Sequence, residues 1–274
     1  MPSTRTLEGL EENGLGIVNC DFESLDKALS LYSSVKLITF GKFVKADWRL
    51  SNIKFSNTNM ICSLTSNIYD FDFKINTLGE QHAINATATL CAAHAIGADL
   101  SGAILGLENW KPFKGRGERS LINWKLDRDQ SDLELIDESY NASPASVEAS
   151  LYTLAISKPP AIHGRRVAIL GDMLELGQTE KSLHEEIVKH PSLKDINVVH
   201  CVGELMNSLF QNLPPGKRGL LTLTAADFLT NLTGVLKPGD VVMVKGSLSM
   251  KMNLIVDAIK ELGQVVELID EESI

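Results

Sequence analysis

From residue 132 onward the chain alternates between short apolar runs and amphipathic stretches. The runs are Asp132–Ile136, Arg166–Leu170, Asn197–Val202, Leu220–Leu223 and Asp240–Val244. Helical spacing lies between them at Ala145–Ile156, Glu180–Lys189, Glu204–Asn212 and Ala225–Leu236, with a last stretch from about Met250 to Leu262. A pattern that switches repeatedly between these two periods has few solutions. Strand–helix–strand repeats pack as right-handed crossovers over a parallel sheet. The expectation is an α/β fold with a doubly wound parallel sheet, whose helices bury faces such as Val147, Leu151 and Leu154.

The chain before residue 111 reads differently. A strand at Gly16–Asn19, a helix at Ser24–Tyr32 and a strand at Lys36–Phe40 make one αβ unit. Alternation through Ile53–Ile75, broken by Asn57-Thr-Asn59 and Ser66-Asn67, predicts two or three antiparallel strands at a sheet edge. Gly79 opens a long helix with Ile84, Ala88, Cys91 and Ala95 on one face, widened by Ala86, Leu90 and Ala93, and Gly97 closes it. A short helix follows at Leu100–Leu107, with Ser101 as its cap. Lys111–Arg119 holds four cations among Pro112, Gly115 and Gly117, which marks a hinge. Two domains are expected, 1–110 and 111–274.

Composition narrows the function. A net charge of −9 argues against a nucleic-acid surface. The four cysteines stand far apart, which suits reduced thiols in the cytoplasm rather than a disulfide frame or zinc site. No apolar run reaches the ~20 residues a membrane span needs, and no membrane insertion is expected.

Polar residues collect where strands should end. Leu135-Ile-Asp-Glu-Ser-Tyr-Asn-Ala-Ser-Pro144 runs from a strand into a helix start, with Ser143 as N-cap and Pro144 at the first helical position. Gly171-Asp-Met-Leu-Glu-Leu-Gly177 and Lys245-Gly-Ser247 follow two other strands. Ligands of open α/β sheets bind beyond the carboxyl ends of strands. Asp137, Asn141, Asp172, Glu175, Lys245 and Ser247 should therefore converge on one crevice. His184 either faces it or is a partly exposed helical histidine. His82 and Asn85, three apart on the first turn of the long helix, read either as a nucleobase clasp or as a capping pair. Arg116, between two glycines, suits phosphate or solvent alike. Gly115-Arg-Gly117 neither follows a strand nor opens a helix, so it is no dinucleotide fingerprint.

Five stretches in order carry a resemblance: Gly79-Glu-Gln-His-Ala-Ile-Asn85, Gly115-Arg116, Asp137–Pro144, Gly171–Gly177 and Val244-Lys-Gly-Ser247. The chain resembles the Mur ligases from about Leu7 to Leu262, in the branch that adds D-alanyl-D-alanine to UDP-N-acetylmuramoyl-tripeptide. The resemblance implies the last part of a central ATP-binding domain at 1–110 and a C-terminal Rossmann-like domain at 111–274. It implies an ATP-dependent amide ligation through an acyl phosphate, in peptidoglycan precursor synthesis. His82 and Asn85 would hold adenine, Arg116 would reach phosphate, and Asp137, Tyr140 and Asn141 would meet ribose or phosphate. Asp172, Glu175, Lys245 and Ser247 would line the dipeptide side, with Lys245 and Asp172 as the candidates for a catalytic part. Mg2+ would be held mostly by residues of the region this chain does not match, and no metal ligand is expected here.

Two departures matter. No G-x-x-x-x-G-K-[ST] phosphate loop occurs in the 274 residues, and Leu248 stands where the K-G-S-R form has Arg. The chain is thus expected to lack turnover by itself, as the C-terminal portion of a ligase that is either truncated or split, a separate N-terminal half being the partner in the second case. The alternative is a non-catalytic remnant or binding module. A dinucleotide-dependent oxidoreductase is disfavoured by the missing glycine fingerprint.

Overall fold

The computed structural model describes residues 9–11, 13–21, 36–126 and 129–266. They form two compact units, divided between Trp110 and Lys111. The helix expected at Ser24–Tyr32 lies outside the described residues.

Among the described residues, the first unit has a five-stranded sheet and two helices. Its strands are β1 (Leu15–Asn19), β2 (Lys36–Gly41), β3 (Trp48–Phe55), β4 (Met60–Ser66) and β5 (Asp70–Ile75), adjacent in chain order. The first three run parallel and the last three antiparallel. Burial along β4 alternates, so Met60, Cys62 and Leu64 form one core with Ala83, Ala86, Leu90 and Cys91 of helix α1 (Glu80–Ala95). Of the expected face of α1, Ala86, Leu90 and Cys91 are buried, joined by Ala83 and Thr87, while Ile84 and Ala88 pack partly buried against the same core. The helix is rich in small residues on several sides, and Thr87 can be buried because its hydroxyl donates to the Ala83 carbonyl at 2.9 Å. Helix α2 (Leu100–Glu108) is capped by Asp99, whose carboxylate accepts the Ser101 and Gly102 amides; Ser101 is not the cap.

The second unit has a seven-stranded sheet. Its strands are β6 (Glu118–Leu126), β7 (Asp129–Glu138), β8 (Arg166–Gly171), β9 (Val198–Val202), β10 (Arg218–Thr222), β11 (Val241–Lys245) and β12 (Gln264–Val266), in the spatial order 10-9-8-11-7-6-12. The five expected strands, β7 to β11, are parallel; β6 runs antiparallel between β7 and β12, so the whole sheet is mixed. The reason is connection length. Two residues separate Leu126 from Asp129, and a parallel return needs a dozen or more.

Successive residues of the central strands point to opposite layers. Val241 and Met243 enter one core with α3 (Pro144–Ile156), α4 (Glu180–Glu186) and α5 (Met206–Asn212). Val242 and Val244 enter the other, with α6 (Ala225–Leu229), α7 (Leu232–Val235) and α8 (Asn253–Lys260). Strands covered on both faces read as continuous apolar runs for this reason. Truncating a fully buried side chain such as Leu151 or Leu154 costs roughly 2–5 kcal/mol. The expected helix at Ala225–Leu236 is two helices, broken at Thr230-Asn231, where both side chains bond locally. No described helix is long and apolar enough to cross a membrane.

Candidate functional site

The carboxyl ends of β7, β11 and β8 lie side by side in the second sheet. Past β7 the chain turns on Asp137. One carboxylate oxygen accepts the Ser139 amide at 3.1 Å and its hydroxyl at 2.6 Å; the other accepts the Gly115 amide at 3.0 Å. Gly117 donates to the Asp137 carbonyl and Tyr140 to the Gly115 carbonyl. The 115–117 strap is thereby sewn to the 137–140 turn. Gly115 has φ +79, and a Cβ there would come 2.9 Å from the Tyr140 Cβ, so only glycine fits. Arg116 is left exposed, with its guanidinium carbon 4.4 Å from the Tyr140 ring centroid, a cation–π pair. Ser143 and Ser146 form a capping box, and Pro144 opens α3.

Lys245, at the end of β11, reaches across to this turn. Its ammonium donates to the Asn141 carbonyl at 3.0 Å and pairs with Glu138 at 3.3 Å. Burial pulls the Lys245 ammonium below its ordinary range, against the opposing pull of Glu138. Burial raises the Glu138 carboxyl, against the opposing pull of Lys245. A buried charge without a partner is costly, which is why the two ends meet.

The turn past β8 is anchored from the other side. Asp172 accepts the Met206 amide at 2.8 Å and the Leu205 amide at 3.3 Å, at the start of α5. Burial nonetheless raises its carboxyl, the strongest of its influences. Gly203 packs where a Cβ would strike that carboxylate. The Ser247 amide donates to the Asp172 carbonyl at 3.1 Å, and the Ser247 hydroxyl accepts the Leu174 amide at 2.9 Å.

The expected residues thus share one edge but divide in two. Asp137, Asp172, Lys245 and Ser247 are at most 6% exposed and bond inward. Their hydrogen bonds within the protein hold the strand-end turns in place. Arg116, Tyr140, Asn141 and Glu175 face outward. His184 is corrected too. It is fully buried, not partly exposed, and its ring joins the turn past β8 to α4.

In the first unit neither His82 nor Asn85 caps α1, whose N-cap is Gly79 without a side-chain bond. Asn85 is exposed, while His82 is mostly buried against the Trp110 ring at 5.6 Å. Three buried polar atoms in this stretch have no protein partner: Thr77 Oγ1, Gln81 Oε1 and His82 Nε2. Burial lowers the His82 imidazole to about 4, so it is neutral at pH 7. Native structures rarely leave such atoms unpaired. Thr77, Gln81, Trp110, Glu138 and Gly203 were not singled out from the sequence. Gln81 and Glu138 lay inside stretches already noted; Thr77, Trp110 and Gly203 gave no signal that separates them from ordinary core and turn residues. Among the described residues, no group of three or more His, Cys, Asp or Glu side chains could hold a metal ion.

Residues 125–248 match the family model described as the Mur ligase, glutamate ligase domain. The chain is 28% identical over 258 residues to the UDP-N-acetylmuramoyl-tripeptide--D-alanyl-D-alanine ligase of Escherichia coli, covering 93% of itself and 54% of that protein. It is 26% identical to the Rickettsia prowazekii ligase of the same name, covering 91% of itself and 54% of that protein. It therefore spans about half the length of the relatives it matches. MurF from Acinetobacter baumannii shares the fold at TM-score 0.77 and 21% identity, over 94% of this chain and 54% of that one. MurF from Thermotoga maritima, in complex with ADP, shares it at TM-score 0.74 and 22% identity, over 92% and 54%. Residues 125–248 thus resemble the Mur ligase, glutamate ligase domain, and the chain as a whole is similar to about half of the D-alanyl-D-alanine-adding ligases it matches.

Proposed function

We propose that this chain supplies the C-terminal share of a cytoplasmic ligase that joins D-alanyl-D-alanine to UDP-N-acetylmuramoyl-tripeptide at the expense of ATP. Residues 1–110 would be the last part of its ATP-binding domain and residues 111–274 its closing domain. The observation that carries the reading is the strap around Arg116. One buried carboxylate and backbone bonds from Gly115, Gly117 and Tyr140 fix this cation at the open edge of the sheet. A cation fixed before its ligand arrives spends little on reorganisation, which suits a nucleotide phosphate.

The remaining residues take parts consistent with this. The unpaired atoms of Thr77, Gln81 and His82 offer hydrogen bonds to an adenine edge, and neutral His82 can present one without charge. Tyr140 and Asn141 would meet ribose or phosphate, with Asn85 near the base. Asp137 acts through Gly115 rather than by contact. Glu175, exposed past β8, would attract the dipeptide ammonium, while Asp172, Lys245 and Ser247 hold its turn and its neighbour. ATP, with Mg2+, would turn the tripeptide carboxylate into an acyl phosphate that the dipeptide amine attacks. Phosphoryl transfer is mostly positioning and charge neutralisation.

The test is a nucleotide titration followed by Trp110 fluorescence. ADP should bind the chain, and Arg116→Ala should weaken it about tenfold, the loss of one charge-assisted contact. Phosphate release from the chain alone, given ATP, the UDP-tripeptide and D-alanyl-D-alanine, should stay at background. No ADP binding, or release at an ordinary enzyme rate, would overturn the proposal.

A further inference from the structure

We propose that His184 is a positioning residue whose neutral imidazole fixes the Asp172–Glu175 turn and thereby sets where the Glu175 carboxylate stands. Both ring nitrogens are engaged. Nδ1 lies 2.7 Å from the Glu180 carbonyl, which only accepts, so Nδ1 carries the proton. Nε2 lies 2.9 Å from the Met173 amide, which only donates, so Nε2 is bare. The two neighbours dictate one tautomer.

The turn has no regular structure to hold it. Its consecutive amides are met by three separate elements: Asp172 donates to the Val202 carbonyl, Met173 to His184 and Leu174 to the Ser247 hydroxyl. Two of these partners stand at neighbouring strand ends. His184 alone comes from a helix that covers the sheet face, and it is fully buried. Glu175 follows at once with φ 64, a left-handed conformation a residue with a Cβ adopts only under constraint. Without the imidazole acceptor the Met173 amide would be buried and unpaired, and the constraint on Glu175 would slacken. Only the identity of what Glu175 meets, an ammonium group, rests on the function proposed above; the positioning does not.

The experiment is nitrogen NMR on the full chain. In the wild type at pH 7, long-range proton–nitrogen spectra should show Nδ1 protonated and Nε2 bare. His184→Leu should raise Met173 amide exchange about tenfold, the loss of one hydrogen bond, and move the Glu175 carbon shifts out of the left-handed pattern. His184→Gln, whose carbonyl can reach the same amide, should restore both. Exchange at Val199, in the core of β9, should not change. A merely space-filling histidine would make the Leu and Gln variants behave alike, and that result overturns the proposal. So does an Nε2-protonated or doubly protonated ring in the wild type, which decides the matter even if the Leu variant fails to fold. Titration with D-alanyl-D-alanine is a separate arm: an unmoved Glu175 amide would sink the dipeptide reading of this edge and leave the His184 results standing.

Discussion

The start of α1 and the strand-end edge of the second sheet handle buried polar groups in opposite ways. Around α1, Thr77, Gln81 and His82 each keep a buried atom without a partner. At the strand ends, Asp137, Asp172, Lys245 and Ser247 are as deeply buried, yet each is bonded within the protein. The first arrangement gives up hydrogen bonds that a ligand could make. The second spends them on holding the exposed Arg116, Tyr140, Asn141 and Glu175 in place. Chemistry-bearing residue types are thus of two kinds, those that wait and those that hold, and residue type alone does not separate them.

The contrast predicts different costs for removing a polar group. Lys245→Met should be the most damaging change, about 4 kcal/mol in urea unfolding, because it strands Glu138 as an uncompensated buried carboxyl. A loss below about 1 kcal/mol would show that the pair holds nothing.

Acid should come next. Burial lowers His82 in the first unit and His200 in the second to about 4 each, from an ordinary value near 6.5. The unfolded chain therefore binds protons more readily between those values. Stability is full above about pH 6.5 and declines as pH falls towards 4, by on the order of 3 kcal/mol for each histidine. His200 tests the contrast from inside the second unit. Its Nε2 is unpaired in mid-β9, with the ring edge-on to Phe228, away from the strand-end loops. Unfolding midpoints that stay flat from pH 7 to 4.5 would contradict this account.

The smallest stability effect should be His82→Phe. It keeps a ring against Trp110 and deletes an atom that bonds to nothing, so stability should shift by less than about 1 kcal/mol. ADP affinity should nonetheless fall about tenfold. A large loss of stability with unchanged affinity would reverse the assignment of the two regions.

Much of the fold was legible along the chain. Among the parallel strands β8 and β11 are the plainest, because each is covered on both faces and so is apolar nearly throughout, as Val241–Val244 shows. The antiparallel β6 was not legible, because Glu118, Arg119 and Lys125 sit among its apolar residues and a cationic hinge precedes it. The face of α1 is legible only in part, at Ala86, Leu90 and Cys91, since its alanines fit several faces equally. At the site, the convergence of Asp172, Lys245 and Ser247 on one edge followed from strand order alone. Their burial did not follow, because lysine and aspartate are ordinarily exposed.

The sequence by itself determined where strands give way to turns and which residues stand at those turns, since hydrophobic period and capping are local properties. Only the tertiary structure decided which way each side chain is spent. Lys245 meets Glu138 across more than a hundred residues, Asp172 meets the start of α5, and His184 meets Met173. Whether a polar group has a partner depends on neighbours brought together by packing, and desolvation, which sets the cost of lacking one, exists only once the core has closed.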